Sequence, residues 1–170
     1  QRCSACRVVF LQEDVADKML GLIIGAMEEL KLGDPFELST DIGPVIDEEA
    51  RANLQKHAGQ MAKEAKLLKK LDAPPTGVFF PPHVFEISGI EQLKHEVFGP
   101  VLHVVRWKAD ELGKVCDAIN ATGYGLTLGI HSRIEETAQF IRDRVHAGNV
   151  YVNRNQIGAV VGVQPFGGEG

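Results

Sequence analysis

The sequence is organised by an alternation. Short apolar, β-branched runs recur along it, separated by amphipathic stretches. The cleanest run is Val101-Leu102-His103-Val104-Val105-Arg106-Trp107. Arg7-Val8-Val9-Phe10-Leu11, His83-Val84-Phe85-Glu86-Ile87, residues 126–131 and Asn149-Val150-Tyr151-Val152-Asn153 are of the same kind. Gly77-Val78-Phe79-Phe80 reads as a further strand, interrupted by Pro81-Pro82. Between the runs, Val15, Met19, Leu22, Ile23, Met27 and Leu30 keep the spacing of one helical face. Gly33-Asp34-Pro35 ends that helix, and Asp47 is placed to cap a second one that the pattern carries to about Leu71. Further helices are expected over 109–120 and 135–145. Strands alternating with helices of about ten or more residues predict an α/β fold, three-layer αβα with a mainly parallel sheet.

Composition narrows the function classes. At 170 residues, 44% hydrophobic and 24% charged, the chain can bury a sizeable core and is not a disordered segment. A formal charge of −5 leaves no basic footprint, so nucleic acid is not expected as a partner. No apolar run approaches the roughly 18–20 residues of a membrane span, and no signal-peptide pattern opens the sequence. Three cysteines, Cys3, Cys6 and Cys116, make no disulfide framework and point to a reducing, cytoplasmic setting. No repeat or low-complexity linker divides the chain. With Cys3 near one end and Gly167-Gly168-Glu169-Gly170 at the other, it reads as a piece of a longer polypeptide.

Several constellations could carry chemistry. Cys3 lies between Arg2 and Ser4, ahead of a strand, where a loop thiol can attack a carbonyl carbon once a base or local field assists it. Cys3-Ser4-Ala5-Cys6 also matches a Cys-x-x-Cys dithiol, but that chemistry uses a helix N-terminus, and here a strand follows. Zinc lacks a ligand set, since no His pair has the needed spacing and Cys116 sits on a helical face. Glu96-Val97-Phe98-Gly99-Pro100 forms a shaped loop presenting a carboxylate and an aromatic ring, suited to ribose hydroxyls and a planar ring; a solvated Glu beside a core Phe is the plainer alternative. Gly123-Tyr124-Gly125-Leu126-Thr127-Leu128-Gly129 has the wrong spacing and the wrong element order for a dinucleotide loop, and reads as a helix stop and turn. Pro165-Phe166-Gly167-Gly168 is by itself a loop whose glycines permit a close backbone approach.

Taken in order, these segments resemble the catalytic domain of the aldehyde dehydrogenase superfamily from end to end. Gly43-Pro44, Asn120 and Tyr124-Gly125-Leu126 belong to the same succession. The Gln1-Arg2-Cys3-Ser4-Ala5 start and Leu38-Ser39-Thr40-Asp41-Ile42-Gly43-Pro44-Val45-Ile46-Asp47-Glu48-Glu49 are most similar to the L-glutamate γ-semialdehyde (1-pyrroline-5-carboxylate) dehydrogenase branch, including the dehydrogenase modules of bifunctional bacterial proline-utilisation proteins. The resemblance implies that Cys3 forms a thiohemiacetal and then a thioester with an aldehyde, with its own amide as one oxyanion donor. It implies NAD as cofactor, with Glu96 on the nicotinamide ribose and Phe98 beside the nicotinamide. It also implies substrate contacts at Ser4 and Phe166, no metal, and residues 1–170 as one cysteine-bearing domain fragment. In the family the general-base glutamate, the oxyanion asparagine and the NAD-binding domain precede the cysteine. The isolated chain is therefore expected to lack turnover, to work with the remainder of its parent, and to associate as a homo-oligomer through the face that remainder covers. An aldehyde of another class, a dithiol redox protein and a non-catalytic assembly fragment are the competing expectations.

Overall fold

The computed structural model describes residues 2–157, 159–160, 162–164 and 166–168. It divides into two compact units, one over Arg7–Trp107 and one formed by the described residues before Arg7 and after Trp107. The chain is a mixed α/β protein with mostly parallel strand pairing, as the alternation predicts.

In the first unit, strand β1 (Val8–Gln12) leads into helix α1 (Glu13–Glu28), followed by helix α2 (Glu48–Glu64) and strands β2 (Lys66–Lys70), β3 (His83–Ile87) and β4 (Val101–Trp107). The sheet order is β1-β4-β3-β2, with β1 and β3 parallel to β4 and β2 antiparallel to β3. Both faces of this sheet are covered. On one, Leu54 and Met61 of α2 pack with Phe80, Phe85, Ile87, Val101 and Val105. On the other, Ala16, Leu20 and Met27 of α1 pack with Leu11, Val84 and Val104. Alternating residues of β3 and β4 thus feed opposite cores, which is why these strands read as nearly continuous apolar runs. Each large side chain buried this way contributes about 1.5–3 kcal/mol. The unit is three-layered, helix on sheet on helix.

Two local readings change. Asp47 does cap α2, its side chain accepting from the Ala50 amide at 2.7 Å. The helix ends at Glu64, however, not near Leu71, because Ala65 turns extended and residues 66–70 pair with β3. Lys66-Leu67-Leu68-Lys69-Lys70 suits a helix by composition, and the free edge of β3 overrides that preference. Residues 77–80 are not a strand: Pro81 and Pro82 have no amide to donate to a ladder, and Phe80 is simply buried against the core.

In the second unit a 3₁₀ turn (Ala109–Glu111) precedes helix α3 (Leu112–Asn120), then strand β5 (Thr127–Ile130), helix α4 (Glu135–Arg144) and strand β6 (Asn149–Val152). β5 and β6 pair in parallel as a two-stranded sheet. Gly123 has φ +76° just after α3, the helix stop read from the sequence. Among the described residues no helix is long and apolar enough to cross a membrane.

Candidate active site

Cys3 and Ser4 occupy the centre of a tight turn closed by the Ala5 amide donating to the Arg2 carbonyl at 3.0 Å. The Cys3 residue is exposed and Ser4 is buried at 5% exposure. The closing bond uses the Ala5 amide, not that of Cys3. Cys6 is also exposed, whereas Cys116 is buried in α3, where desolvation pushes its thiol pKa up. A solvent-facing thiol on a short turn can be reached by an aldehyde; the thiol in α3 cannot.

Glu96 and Phe98 are brought together. Parallel strands require a crossover of roughly a dozen residues, and between β3 and β4 that crossover is made by residues 88–100 with only the 3₁₀ turn Ile90–Gln92 in it. Leu93 and Val97 pack on the α2-side core and hold the loop down. Gly99 allows α2 to come close: a Cβ there would lie 2.3 Å from Leu54 Cδ2. The loop thereby fixed leaves the Phe98 residue 48% exposed and the Glu96 side chain 41% exposed. Below them sits Arg7, its Nη2 3.3 Å from Glu96 Oε1 and its Cζ 4.4 Å from the Phe98 ring centroid.

The register explains how Arg7 reaches them. Val8 lies opposite His103, so Arg7 stands at the amino end of both β1 and β4, the end where the crossover returns. The Arg7 carbonyl accepts from the His103 amide at 3.0 Å and from His103 Nδ1 at 3.1 Å. Ligands of open α/β sheets usually lie at the carboxyl ends of strands; here the candidate loop is at the amino ends.

Phe166 is 58% exposed and is followed by Gly167 and Gly168, of which Gly168 is closely packed. A Cβ on Gly148 would meet Gly167 O at 1.8 Å, and one on Gly168 would meet Gly125 O at 2.4 Å. These glycines bring the terminal segment against the chain's own backbone. Asn149, 8% exposed, donates from Nδ2 to Leu126 O at 3.1 Å and to Gly167 O at 2.7 Å. Its amide ties β5, β6 and the Phe166 segment together. Pro165, at the head of that motif, and Gln1, at the start of the other, lie outside the described residues. Arg7 and Asn149 are not among the site residues expected from the sequence, where each only opens an apolar strand run.

The sequence profile of the aldehyde dehydrogenase family matches residues 1–170. The chain belongs to the aldehyde dehydrogenase family. Within that family it is 52% identical to the bifunctional protein PutA of Klebsiella aerogenes, covering 100% of this chain and 14% of that protein. It is 37% identical to a 1-pyrroline-5-carboxylate dehydrogenase of Geobacillus sp. (strain WCH70), covering 99% of this chain and 33% of that one. Among solved structures, a bifunctional proline utilization A protein superposes with a TM-score of 0.97 at 56% identity, covering 100% of this chain and 17% of that chain. A 1-pyrroline-5-carboxylate dehydrogenase from Thermus with bound NAD superposes with a TM-score of 0.89 at 34% identity, covering 99% of this chain and 33% of that chain. The aldehyde dehydrogenase fold expected from the segment order is therefore the fold observed. The chain spans a seventh to a third of the curated relatives it matches.

Proposed function

We propose that residues 1–170 form the cysteine-bearing catalytic segment of an NAD-dependent dehydrogenase that oxidises L-glutamate γ-semialdehyde to L-glutamate in proline catabolism, acting within a longer polypeptide. The observation that carries this reading is the exposed Cys3 thiol at the centre of a tight turn, in a chain similar along its whole length to 1-pyrroline-5-carboxylate dehydrogenases.

Cys3 attacks the aldehyde carbon, and the Cys3 amide helps to stabilise the oxygen on which negative charge develops. When bound, NAD would supply the hydride acceptor, so that loss of hydride from the carbon of the resulting hemithioacetal and of a proton from its oxygen gives a thioester. Water then releases the carboxylic acid and returns the thiol. Glu96 and Phe98 suit the nicotinamide end of that cofactor: a half-exposed carboxylate can accept from two ribose hydroxyls, and a half-exposed ring beside it can pack on a planar one. Phe166 supplies apolar lining for the aldehyde chain. Ser4 is assigned to the substrate's carboxylate, to which a hydroxyl donor on the nucleophile's own turn suits it; it is buried here, so this contact requires the turn to open that hydroxyl to substrate.

The test is NADH formation with the semialdehyde, measured on the polypeptide that carries this chain. Cys3→Ser is expected to lower turnover by roughly a thousandfold or more, as for other nucleophile replacements, and Cys6→Ser to leave it within about twofold. Equal loss in both variants would instead favour a dithiol mechanism.

A further inference from the structure

In the cofactor loop of the proposed site, Glu96 and Phe98 are touched by the same side chain, that of Arg7. Arg7 is only 16% exposed, while the Glu96 carboxylate it pairs with is 41% exposed and the Phe98 residue is 48% exposed. The guanidinium contacts both, the carboxylate through Nη2 at 3.3 Å and the ring face through Cζ at 4.4 Å. Its backbone is anchored separately, since the Arg7 carbonyl receives two hydrogen bonds from His103. One end of this residue is thus locked to β4 and the other spans two residues of the loop that precedes β4.

We propose that Arg7 is a positioning residue for the cofactor end of the site, its guanidinium holding the Glu96 carboxylate and the Phe98 ring in a fixed relation to each other. The inference rests on the reading of Glu96 and Phe98 given above. A planar guanidinium suits this task because it donates in its plane and stacks through its face. Glu96 rotates about three side-chain bonds, and a charged partner on Oε1 restricts that freedom before a ligand arrives. Ordering a flexible side chain at the moment of binding costs about 0.5–1.5 kcal/mol, so a carboxylate already held binds hydroxyls more tightly. Arg7 itself touches neither aldehyde nor thiol in this role. It lies four residues after Cys3 in the chain, yet its effect is on NAD.

The experiment uses the polypeptide that carries this chain and compares wild type, Arg7→Lys, Arg7→Met and Cys3→Ser. Three quantities are read: the equilibrium Kd for NAD by calorimetry, the separate KM values for NAD and aldehyde, and the rate at which iodoacetamide alkylates Cys3. Arg7→Met is expected to weaken NAD binding on the order of tenfold, with the aldehyde KM and the alkylation rate of Cys3 within about twofold of wild type. Arg7→Lys keeps the charge without the stacking plane and is expected to fall between. An unchanged NAD Kd in Arg7→Met overturns the inference, as does a parallel rise in both KM values with altered Cys3 alkylation, which marks a purely structural role. Should Arg7→Met fail to fold, Arg7→Lys decides alone: weaker NAD binding with a normal aldehyde KM supports the inference, and wild-type NAD binding overturns it. Cys3→Ser separates the two levels, because retained aldehyde oxidation in that variant removes the proposed function whatever Arg7 does. Absence of NAD binding in the wild type overturns both.

Discussion

The Nε2 atoms of His57 on α2 and His103 on β4 lie 2.9 Å apart, and their rings meet edge to face. The proton arrangement follows from the neighbours. His103 Nδ1 sits 3.1 Å from the Arg7 carbonyl, which can only accept, so Nδ1 carries the hydrogen. Neutral His103 then offers an Nε2 lone pair, and His57 donates to it. A proton on His103 Nε2 destroys this arrangement.

Stability should therefore depend on pH in a defined direction. Burial first, then the charges of His103 and His95, lower the His57 pKa from 6.5 to about 4, and burial lowers that of His103. Because the folded protein favours neutral rings, the stabilisation is complete above pH 6.5 and declines as pH falls towards about 4. Amide exchange in α2 and β1, corrected for its intrinsic pH dependence, should show more frequent opening across that window. His57→Gln should flatten the dependence, and an unchanged slope in that variant would rule out the pair as its source.

Gly99 and Leu54 should couple. A methyl group at residue 99 meets Leu54, which is 2% exposed and cannot swing into solvent. Gly99→Ala is expected to cost about 1–3 kcal/mol by overpacking and Leu54→Ala about 2–5 kcal/mol by leaving a cavity. The double variant should lose less than the sum, because the new methyl enters the space vacated. Denaturant unfolding of all four proteins measures this, and simple additivity would count against the contact.

Asn149 should matter to the aldehyde end of the site. Asn149→Ala removes the side-chain donor to the Gly167 carbonyl and leaves the Leu126 carbonyl with the residue-149 backbone amide only, at about 1–3 kcal/mol. Asn149→Asp should be no better, because a carboxylate cannot donate. If the Phe166 segment lines the aldehyde pocket, both variants raise the KM for aldehyde and leave NAD affinity unchanged. A change confined to NAD would point elsewhere.

Asp47→Ala removes the acceptor at the start of α2 and should destabilise by about 1 kcal/mol. Asp47→Ser should recover most of this in denaturant titrations. Loss greater than about 2 kcal/mol would mean that Asp47 does more than cap.

The features that could be read from the chain alone were local or periodic. Asp47 as a cap, the strand of β4 and the stop at Gly123 depend on residues within a turn or two of each other, so they were legible. The face expected on α1 was legible only in part: Ile23 and Met27 pack on the core with Ala16 and Leu20, while Val15, Met19, Leu22 and Leu30 are exposed. The order of motifs also determined the family, and with it Cys3, Glu96, Phe98, Ser4 and Phe166 as candidates. Tertiary structure alone decided where α2 gives way to β2, since Lys66–Lys70 becomes a strand only when the edge of β3 is there to pair with it. It also decided which ordinary-looking residues support the candidates. His103 meets Arg7 across a separation of 96 residues, and Asn149 meets Gly167 because glycines let two backbones close on each other. Such contacts arise from strand register and close packing, which depend on the whole sheet and leave no spacing pattern in the chain.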